Sequence, residues 1–263
     1  MPSSSGATRQ PVLEFADVTF DYGDGPVLSD VSLQVGSGEV VGLVGLSGAG
    51  KSTVVNLAAG RRAATSSGST GTVRTLAVNL ATVGAKERRT ALARVGVIPQ
   101  QPTMPGTLRV IHNVNAGRLG SWSLSQSVWS LLSPRGTEAA RAALARVGIS
   151  DLMQARTDSL SGGQLQRVAV ARVLVSQPDL VLADEPTSAV DPSWSGEVLA
   201  ALHECAASGS GVLVSLHDIE LARATCHRIV GLRDGVVVAD GPASSFTAAD
   251  VKELYRLDRS PGR

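Results

Sequence analysis

The stretch from Gly45 to Thr53 has the residue types and the spacing of a phosphate-binding loop. It reads GLSGAGKST and fits the pattern G-x-x-x-x-G-K-[ST] between an apolar run typical of a buried strand and a sequence typical of a helix. Lys51 is expected to pair with the β- and γ-phosphates of a nucleotide, and the Ser52 hydroxyl to ligate Mg²⁺. The residues of this stretch predicted to bind nucleotide are Gly45, Ser47, Gly48, Ala49, Gly50, Lys51, Ser52 and Thr53.

An acid pair and a histidine follow two later apolar runs. Asp184 and Glu185 end the run that begins at residue 179, and His217 follows residues 211–216. A carboxylate at the carboxyl end of a buried parallel strand faces the phosphate loop of an open α/β sheet. Asp184 is therefore predicted to hold Mg²⁺ through water, and Glu185 to orient or polarise the attacking water. His217 could donate to a γ-phosphate, although histidines at strand ends usually have no such role.

Two further features suit a nucleotide. Ser161, Gly162 and Gly163 of the stretch LSGGQ open a predicted helix, whose free N–H groups and positive dipole end favour an anion. Tyr22 precedes the phosphate loop at a place where its ring could stack on a purine, and simple packing of the ring remains the alternative.

Composition excludes several classes of function. The chain of 263 residues is 43% hydrophobic, enough for one domain with a sizeable insertion. A net charge of +1 and an aromatic content of 3% argue against a nucleic-acid partner. Cys205 and Cys226 lack metal-binding spacing and are expected to be reduced core thiols. No apolar run approaches the length of a membrane span, and residues 1–10 lack a signal-peptide core, so a cytoplasmic protein is expected.

The surrounding patterns predict an α/β fold: a P-loop NTPase core with a mainly parallel sheet, an N-terminal antiparallel β layer and an inserted helical subdomain. Alternating residues at 12–22 and 31–35 predict the antiparallel layer. The expected divisions are a tail at 1–11, a nucleotide-binding α/β core with the antiparallel β layer at 12–102 and 159–245, a helical subdomain at 103–158, and a C-terminal helix and tail at 246–263.

Individual elements are also predicted. One strand is expected at Thr72–Leu80, and an amphipathic helix at Leu165–Ser176. A hairpin is expected at Arg228–Ala239, where Asp234-Gly235 suits a type I′ turn. The helical subdomain should contain helices at Leu108–Asn115, Ser123–Leu132 and Thr137–Val147, with Thr137 as an N-cap and with Trp122 and Trp129 as packing anchors.

Residues 12–242 resemble the ATP-binding cassette (ABC) ATPases. The resemblance rests on an ordered set: the phosphate loop, Gln100 after a strand, LSGGQ, the Asp184-Glu185 strand end and His217. It implies that the nucleotide is ATP and that Tyr22 occupies the adenine-stacking position. It further implies that Gln100 contacts the metal and the lytic water. The stretch Ser161, Gly162, Gly163 and Gln164 would contact the γ-phosphate of ATP held by a partner subunit, and residues 188–191 resemble the family's D-loop, which makes Asp191 a site residue.

Within this family, residues 113–120 and 231–235 are similar to phosphonate importer ATPases, whereas residues 61–80 are diverged. That resemblance implies an importer ATPase at the cytoplasmic face of the cell membrane. Its implied partners are a second copy of the chain, an integral membrane permease and, indirectly, a solute-binding protein. The alternatives are an ABC ATPase for another solute, or for export or lipoprotein release. A soluble ABC ATPase acting on DNA or ribosomes should show coiled coils, a second cassette or basic stretches, and the sequence has none.

Overall fold

The computed structural model describes residues 11–62, 68–118, 137–188 and 192–255. The predicted helix at Ser123–Leu132, the packing anchors Trp122 and Trp129, and the site residue Asp191 lie outside them.

The strands of the described ranges form two sheets. They are β1 (Pro11–Asp21), β2 (Pro26–Gly36), β3 (Val40–Val44), β4 (Thr70–Thr75), β5 (Val78–Asn79), β6 (Val95–Ile98), β7 (Leu180–Ala183), β8 (Gly211–Leu216), β9 (Arg228–Arg233) and β10 (Val236–Pro242).

Helices pack against these sheets and against one another. They are α1 (Lys51–Ala58), α2 (Ala85–Leu92), α3 (Val110–Asn115), α4 (Thr137–Arg146), α5 (Gly162–Ser176), α6 (Pro192–Ala207), α7 (Ile219–Thr225) and α8 (Ala248–Leu254). No helix among the described residues is long and apolar enough to cross a membrane.

The larger sheet has the strand order β10-β9-β3-β8-β7-β6, and β10 is its antiparallel member. The strands β3, β7 and β8 are buried along their whole length, which explains why their sequences are continuous apolar runs rather than alternating ones. Because β9, β3, β8, β7 and β6 run parallel, their carboxyl ends meet at one edge of the sheet. The predicted fold class is confirmed, with helices α3 and α4 inserted between β6 and β7.

The smaller sheet is antiparallel and has the order β2-β1-β4-β5. In β1 the buried residues change phase at Asp17, whose φ of 50° marks an irregularity in pairing. The predicted single strand at Thr72–Leu80 is wrong. Leu76 and Ala77 have φ of 52° and 63°, and this turn folds the segment into the hairpin of β4 and β5.

The helices predicted at Leu108–Asn115 and Thr137–Val147 are present as α3, which begins at Val110, and α4, which ends at Arg146. Helix α4 includes Thr137 as its first residue, so this threonine is not the residue before the helix, as an N-cap would be. Helix α5 begins three residues before the predicted start at Leu165. It packs against α3, α4, α6 and β6 and is less amphipathic than predicted, since seven of its fifteen residues are buried and two, Gly162 and Arg172, are exposed. Cys205 and Cys226 are buried free thiols, as predicted. The boundaries between the domains stay a prediction.

The hairpin of β9 and β10 supports the phosphate loop. Asp234 and Gly235 form its turn with φ of 47° and 78°, as a type I′ turn requires. The Gly235 N–H donates to Ala49 O at 3.2 Å, and Gly235 O accepts from Ser29 N at 2.9 Å. The turn therefore joins the phosphate loop to β2 of the smaller sheet.

Candidate functional site

The phosphate loop connects the end of β3 to the start of α1. A Cβ at Gly45 would lie 2.1 Å from Leu232 O, and one at Gly50 would lie 2.6 Å from Leu28 Cδ2. Gly48 and Gly50 also have φ of 84° and 101°, which L side chains rarely adopt. Since Gly50 is the N-cap of α1 and provides no side-chain cap, the first N–H groups of this helix suit an external anion.

A cavity of about 380 Å³ opens beside this loop. Its lining combines the phosphate loop with three residues predicted from distant parts of the sequence. The lining residues are Val27, Ser47, Gly48, Gly50, Lys51, Ser52, Thr53, Gln100, Glu185 and His217. The fold thus brings Gln100, Glu185 and His217 to the loop, since β6, β7 and β8 end at the same edge of the sheet.

Glu185 is the centre of the polar contacts in this cavity. Gln100 Nε2 donates to Glu185 Oε2 at 2.7 Å, and His217 Nε2 lies 2.6 Å from Oε1. Lys51 Nζ lies 3.7 Å from the same Oε1. The Glu185 side chain is 10% exposed. Its two oxygens therefore have defined partners on different elements, and the carboxylate is held in one orientation.

The backbone of Glu185 is unusual, with a φ of 45°. The turn that follows holds it there, because Ser188 N and Ser188 Oγ donate to Glu185 O at 3.1 and 2.9 Å. A non-glycine residue in this conformation is strained unless its surroundings fix it. Here the strained backbone directs a carboxylate toward the phosphate loop.

Lys51 is the buried cation of the site. Its side chain is 4% exposed, and Nζ donates to Gly45 O at 2.8 Å and to Leu46 O at 3.1 Å. Burial lowers the pKa of Lys51, and the nearby Glu185 and Asp184 carboxylates partly oppose that shift. A cation held at the mouth of a glycine loop suits the negative charge of a phosphate chain.

Ser215 is a site residue that the sequence analysis missed. Its hydroxyl, fully buried, donates to Asp184 Oδ1 at 2.8 Å and accepts from Glu185 N at 2.7 Å. It lies on β8, which pairs with β7 immediately before the two acids. A signal was present, because this serine is the polar residue of the otherwise apolar run that precedes His217.

The residues predicted to hold Mg²⁺ fit that ion. The Ser52 hydroxyl, the Asp184 carboxylate and the Gln100 amide oxygen are hard oxygen donors, and Mg²⁺ in nucleotide sites takes one or two carboxylates together with substrate phosphates. The described residues contain no cluster of three or more His, Cys, Asp or Glu able to hold a metal. The donor set therefore suits an ion whose coordination a nucleotide completes.

Tyr22 lies at the edge of the site. Its residue surface is 48% exposed, its ring meets Phe20 edge to face at 4.9 Å, and its hydroxyl lies 3.4 Å from Thr53 Oγ1. The Arg62 guanidinium, which the sequence analysis did not single out, lies 5.5 Å from the ring centroid. The exposed ring is thus not a core residue, and its stacking on adenine stays a prediction.

The LSGGQ stretch forms the start of α5. Ser161 Oγ accepts from Gln164 N at 3.3 Å, and Gln164 Oε1 accepts from Ser161 N at 2.9 Å, which together make a capping box. A Cβ at Gly162 would meet nothing within 4 Å. None of the residues from Ser161 to Gln164 lines the cavity at the phosphate loop. Within one chain the structure does not bring these two predicted halves together.

A glycine loop between a buried strand and a helix, facing an acid pair at the end of a parallel strand, defines a P-loop nucleotide hydrolase. The family described as ABC transporter matches residues 28–188. The chain belongs to this family and is an ATP-binding, ATP-hydrolysing protein.

Curated relatives and solved structures agree with this family. The chain is 41% identical over 244 residues to "Phosphonates import ATP-binding protein PhnC 1" of Rhodopseudomonas palustris (strain HaA2), covering 92% of this chain and 85% of the relative. It is 42% identical over 229 residues to PhnC of Pseudomonas fluorescens (strain Pf0-1), covering 87% and 85%.

Among solved structures, the dimeric bacterial ABC transporter cassette MJ0796 has a TM-score of 0.77 at 27% identity, covering 89% of this chain and all of that one. An ATP-binding subunit of an ABC transporter has a TM-score of 0.76 at 25% identity, covering 92% of each chain.

Proposed function

We propose that this chain is the ATPase subunit of an ABC importer and that its transported solute is a phosphonate or a related oxyanion. The observation that carries the proposal is the Glu185 carboxylate, placed between Lys51, Gln100 and His217 in the cavity of the phosphate loop. The names of the curated relatives support import and the solute class.

In this proposal, each residue of the cavity has a separate role in ATP hydrolysis. Lys51 pairs with the β- and γ-phosphates, and the N–H groups at the start of α1 bind the same chain of anions. Ser52, Asp184 and Gln100 would hold Mg²⁺, which neutralises phosphate charge when bound. Glu185 orients the attacking water and accepts its proton, since its carboxylate is fixed and largely shielded from solvent. His217 holds Glu185 in position and would also donate a hydrogen bond to the γ-phosphate.

The LSGGQ helix start of a second copy completes the site in this proposal. In one chain it lies away from the cavity, yet its capped helix end has the N–H groups and the dipole that suit a γ-phosphate. The D-loop residue Asp191 would lie at the same interface, and Tyr22 would stack on the adenine. The dimer described for MJ0796 supports a paired arrangement. An integral membrane permease, served by a solute-binding protein, would hold the pair at the cytoplasmic face of the membrane.

Reconstitution in liposomes tests the proposal. The chain is combined with a candidate permease and a candidate solute-binding protein for phosphonate, and ATP hydrolysis and uptake of radiolabelled methylphosphonate are measured together. Binding protein loaded with methylphosphonate should stimulate both, and Glu185→Gln should abolish both. Equal stimulation by an amino acid or a sugar would contradict the solute class, and hydrolysis by Glu185→Gln at the rate of the parent would contradict the catalytic assignment.

A further inference from the structure

The C-terminal helix α8 is packed onto the catalytic sheet. Leu254 is fully buried, and a Cβ at Gly231 of β9 would lie 3.3 Å from its Cδ1. Val251 and Tyr255 pack against the main hydrophobic core. The Thr247 N–H and hydroxyl donate to Asp250 Oδ2, each at 2.7 Å, which caps the start of the helix. The end of the described chain is therefore held in a fixed position against the sheet.

The last residue of this segment contacts the loop that carries His217. The Tyr255 hydroxyl donates to the main-chain carbonyl of His217 at 3.1 Å, across 38 positions of sequence. Burial and the neighbouring Asp218 carboxylate raise the pKa of Tyr255, so the phenol keeps its proton at neutral pH and stays a donor.

The backbone around His217 is fixed on both sides of this contact. Strand β8 ends one residue before it, and Asp218 caps α7 by accepting from Glu220 N and Leu221 N at 2.8 and 3.1 Å. The His217 carbonyl lies between these two anchors. A shift of the peptide there would move the imidazole, whose Nε2 lies 2.6 Å from Glu185 Oε1.

We infer that Tyr255 is a positioning residue for ATP hydrolysis, whose hydroxyl fixes the His217 peptide so that the imidazole stays in contact with Glu185. Tyr255 does not line the nucleotide cavity and acts through His217. The C-terminal helix thereby becomes part of the catalytic apparatus rather than a surface element. This inference rests on the proposed roles of Glu185 and His217.

The test uses Tyr255→Phe in the full chain, because this change removes the hydroxyl and keeps the packed ring. The kcat for ATP should fall about three- to tenfold, as expected for the loss of one positioning hydrogen bond, while the Kd for MgATP stays at the parent value. A double-mutant cycle with His217→Ala supplies the decisive readout. If Tyr255 acts through His217, the double variant should be no slower than His217→Ala alone.

A matched control is Ser245→Ala, which removes another hydroxyl-to-carbonyl hydrogen bond of the C-terminal segment, from Ser245 Oγ to Pro242 O at 2.9 Å. Its kcat should equal that of the parent. Additive losses in the cycle, or a Tyr255→Phe kcat equal to the parent while Glu185→Gln is inactive, would overturn the inference alone. Normal hydrolysis by Glu185→Gln and His217→Ala would instead overturn the proposed function.

Discussion

Ser215 Oγ donates a hydrogen bond of 2.8 Å to Asp184 Oδ1, across the neighbouring parallel strands β8 and β7. The same oxygen accepts from the N–H of Glu185 at 2.7 Å. One fully buried hydroxyl therefore fixes both the carboxylate proposed to hold Mg²⁺ and the strained backbone of the proposed catalytic acid. The acid pair depends on a strand that is distant from it in sequence.

Ser215→Ala should weaken both the fold and the metal site. The Glu185 N–H would lose its partner in a buried position, which costs about 1–3 kcal/mol of the free energy of unfolding. Asp184 would lose its orienting donor, so the Mg²⁺ concentration for half-maximal ATP hydrolysis should rise. Denaturant unfolding and a Mg²⁺ titration of the ATPase rate measure the two effects.

Ser210→Ala provides the control. Ser210 lies just before the start of β8, is also buried, and donates a hydrogen bond from its hydroxyl to Pro178 O. This variant should lower the free energy of unfolding without changing the Mg²⁺ titration. An unchanged Mg²⁺ requirement in Ser215→Ala would show that this hydroxyl is structural only.

Glu185→Gln should keep the affinity for MgATP and lose about 10²–10⁴ in the rate of hydrolysis, because the amide cannot accept the proton of the attacking water. Equilibrium binding of a fluorescent ATP analogue and steady-state release of phosphate, measured on the same preparation, check both parts. Glu204→Gln makes the same chemical change at an exposed acid paired with Arg146, and should leave both values unchanged.

Lys51→Ala should lower both nucleotide affinity and hydrolysis. The loop would lose its buried cation and the charge-assisted hydrogen bonds to phosphate, so we expect MgATP to bind about ten- to hundredfold more weakly. Isothermal titration with MgATP is the measurement, with the exposed Lys86→Ala as the control. MgATP binding to Lys51→Ala as tight as to the parent would refute the phosphate-loop assignment.

ATP should stabilise a dimer that ADP does not, because the γ-phosphate would join the phosphate loop of one chain to the Ser161–Gly163 helix start of the other. The dimer should be clearest in Glu185→Gln, where ATP persists. Adding Ser161→Arg should abolish it while each monomer still binds ATP. Sedimentation velocity with ATP and with ADP tests the assembly, and a dimer indifferent to nucleotide would contradict the composite site.

Because of the two buried thiols, we expect the free energy of unfolding to fall at alkaline pH. Burial raises the pKa of both Cys205 and Cys226 to about 11. In the unfolded chain the thiols ionise near their ordinary pKa of 9.0, so between these values the folded state binds more protons. The free energy of unfolding should therefore fall as pH rises from about 9 to 11.

Urea unfolding at a series of pH values measures this slope. In the double variant Cys205→Ala and Cys226→Ala, the free energy of unfolding should fall less steeply with pH. The slope that remains would come from the ionisation of other groups. An identical slope in the variant would show that the thiols do not contribute.

The sequence alone determined the features that are local in the chain. The spacing of GLSGAGKST specifies the loop, because Gly48 and Gly50 both have positive φ and Gly50 is also too crowded for a Cβ, so glycine is required close to Lys51. The Ser161 and Gln164 capping box, the Asp234-Gly235 turn and the buried strands β3, β7 and β8 are likewise set by neighbouring residues. Hydrophobic pattern and turn chemistry act over short stretches, so the fold class was predictable.

Local pattern also produced the errors. Leu76 and Ala77 turn the chain between β4 and β5 without the glycine or asparagine that usually marks such a turn, so the sequence pattern predicts one strand where the structure has a hairpin. Helix α5 was expected to have a solvent face, yet neighbouring helices cover most of it. For α5, contacts with distant parts of the chain override local preference.

Tertiary structure alone decided which distant residues meet. Glu185 contacts Lys51, Gln100 and His217 because β3, β6, β7 and β8 belong to one parallel sheet and end at the same edge. The order of the strands in this sheet cannot be predicted from any single segment of the sequence. The contact of Ser215 with Asp184 also depends on that pairing, and the contact of Tyr255 with His217 depends on the packing of the C-terminal segment; each is a hydrogen bond between residues remote in sequence. The conformation of the phosphate loop is fixed by the covalent geometry of neighbouring residues. The arrangement of the side chains at the site is fixed by strand register and burial, which depend on the whole chain.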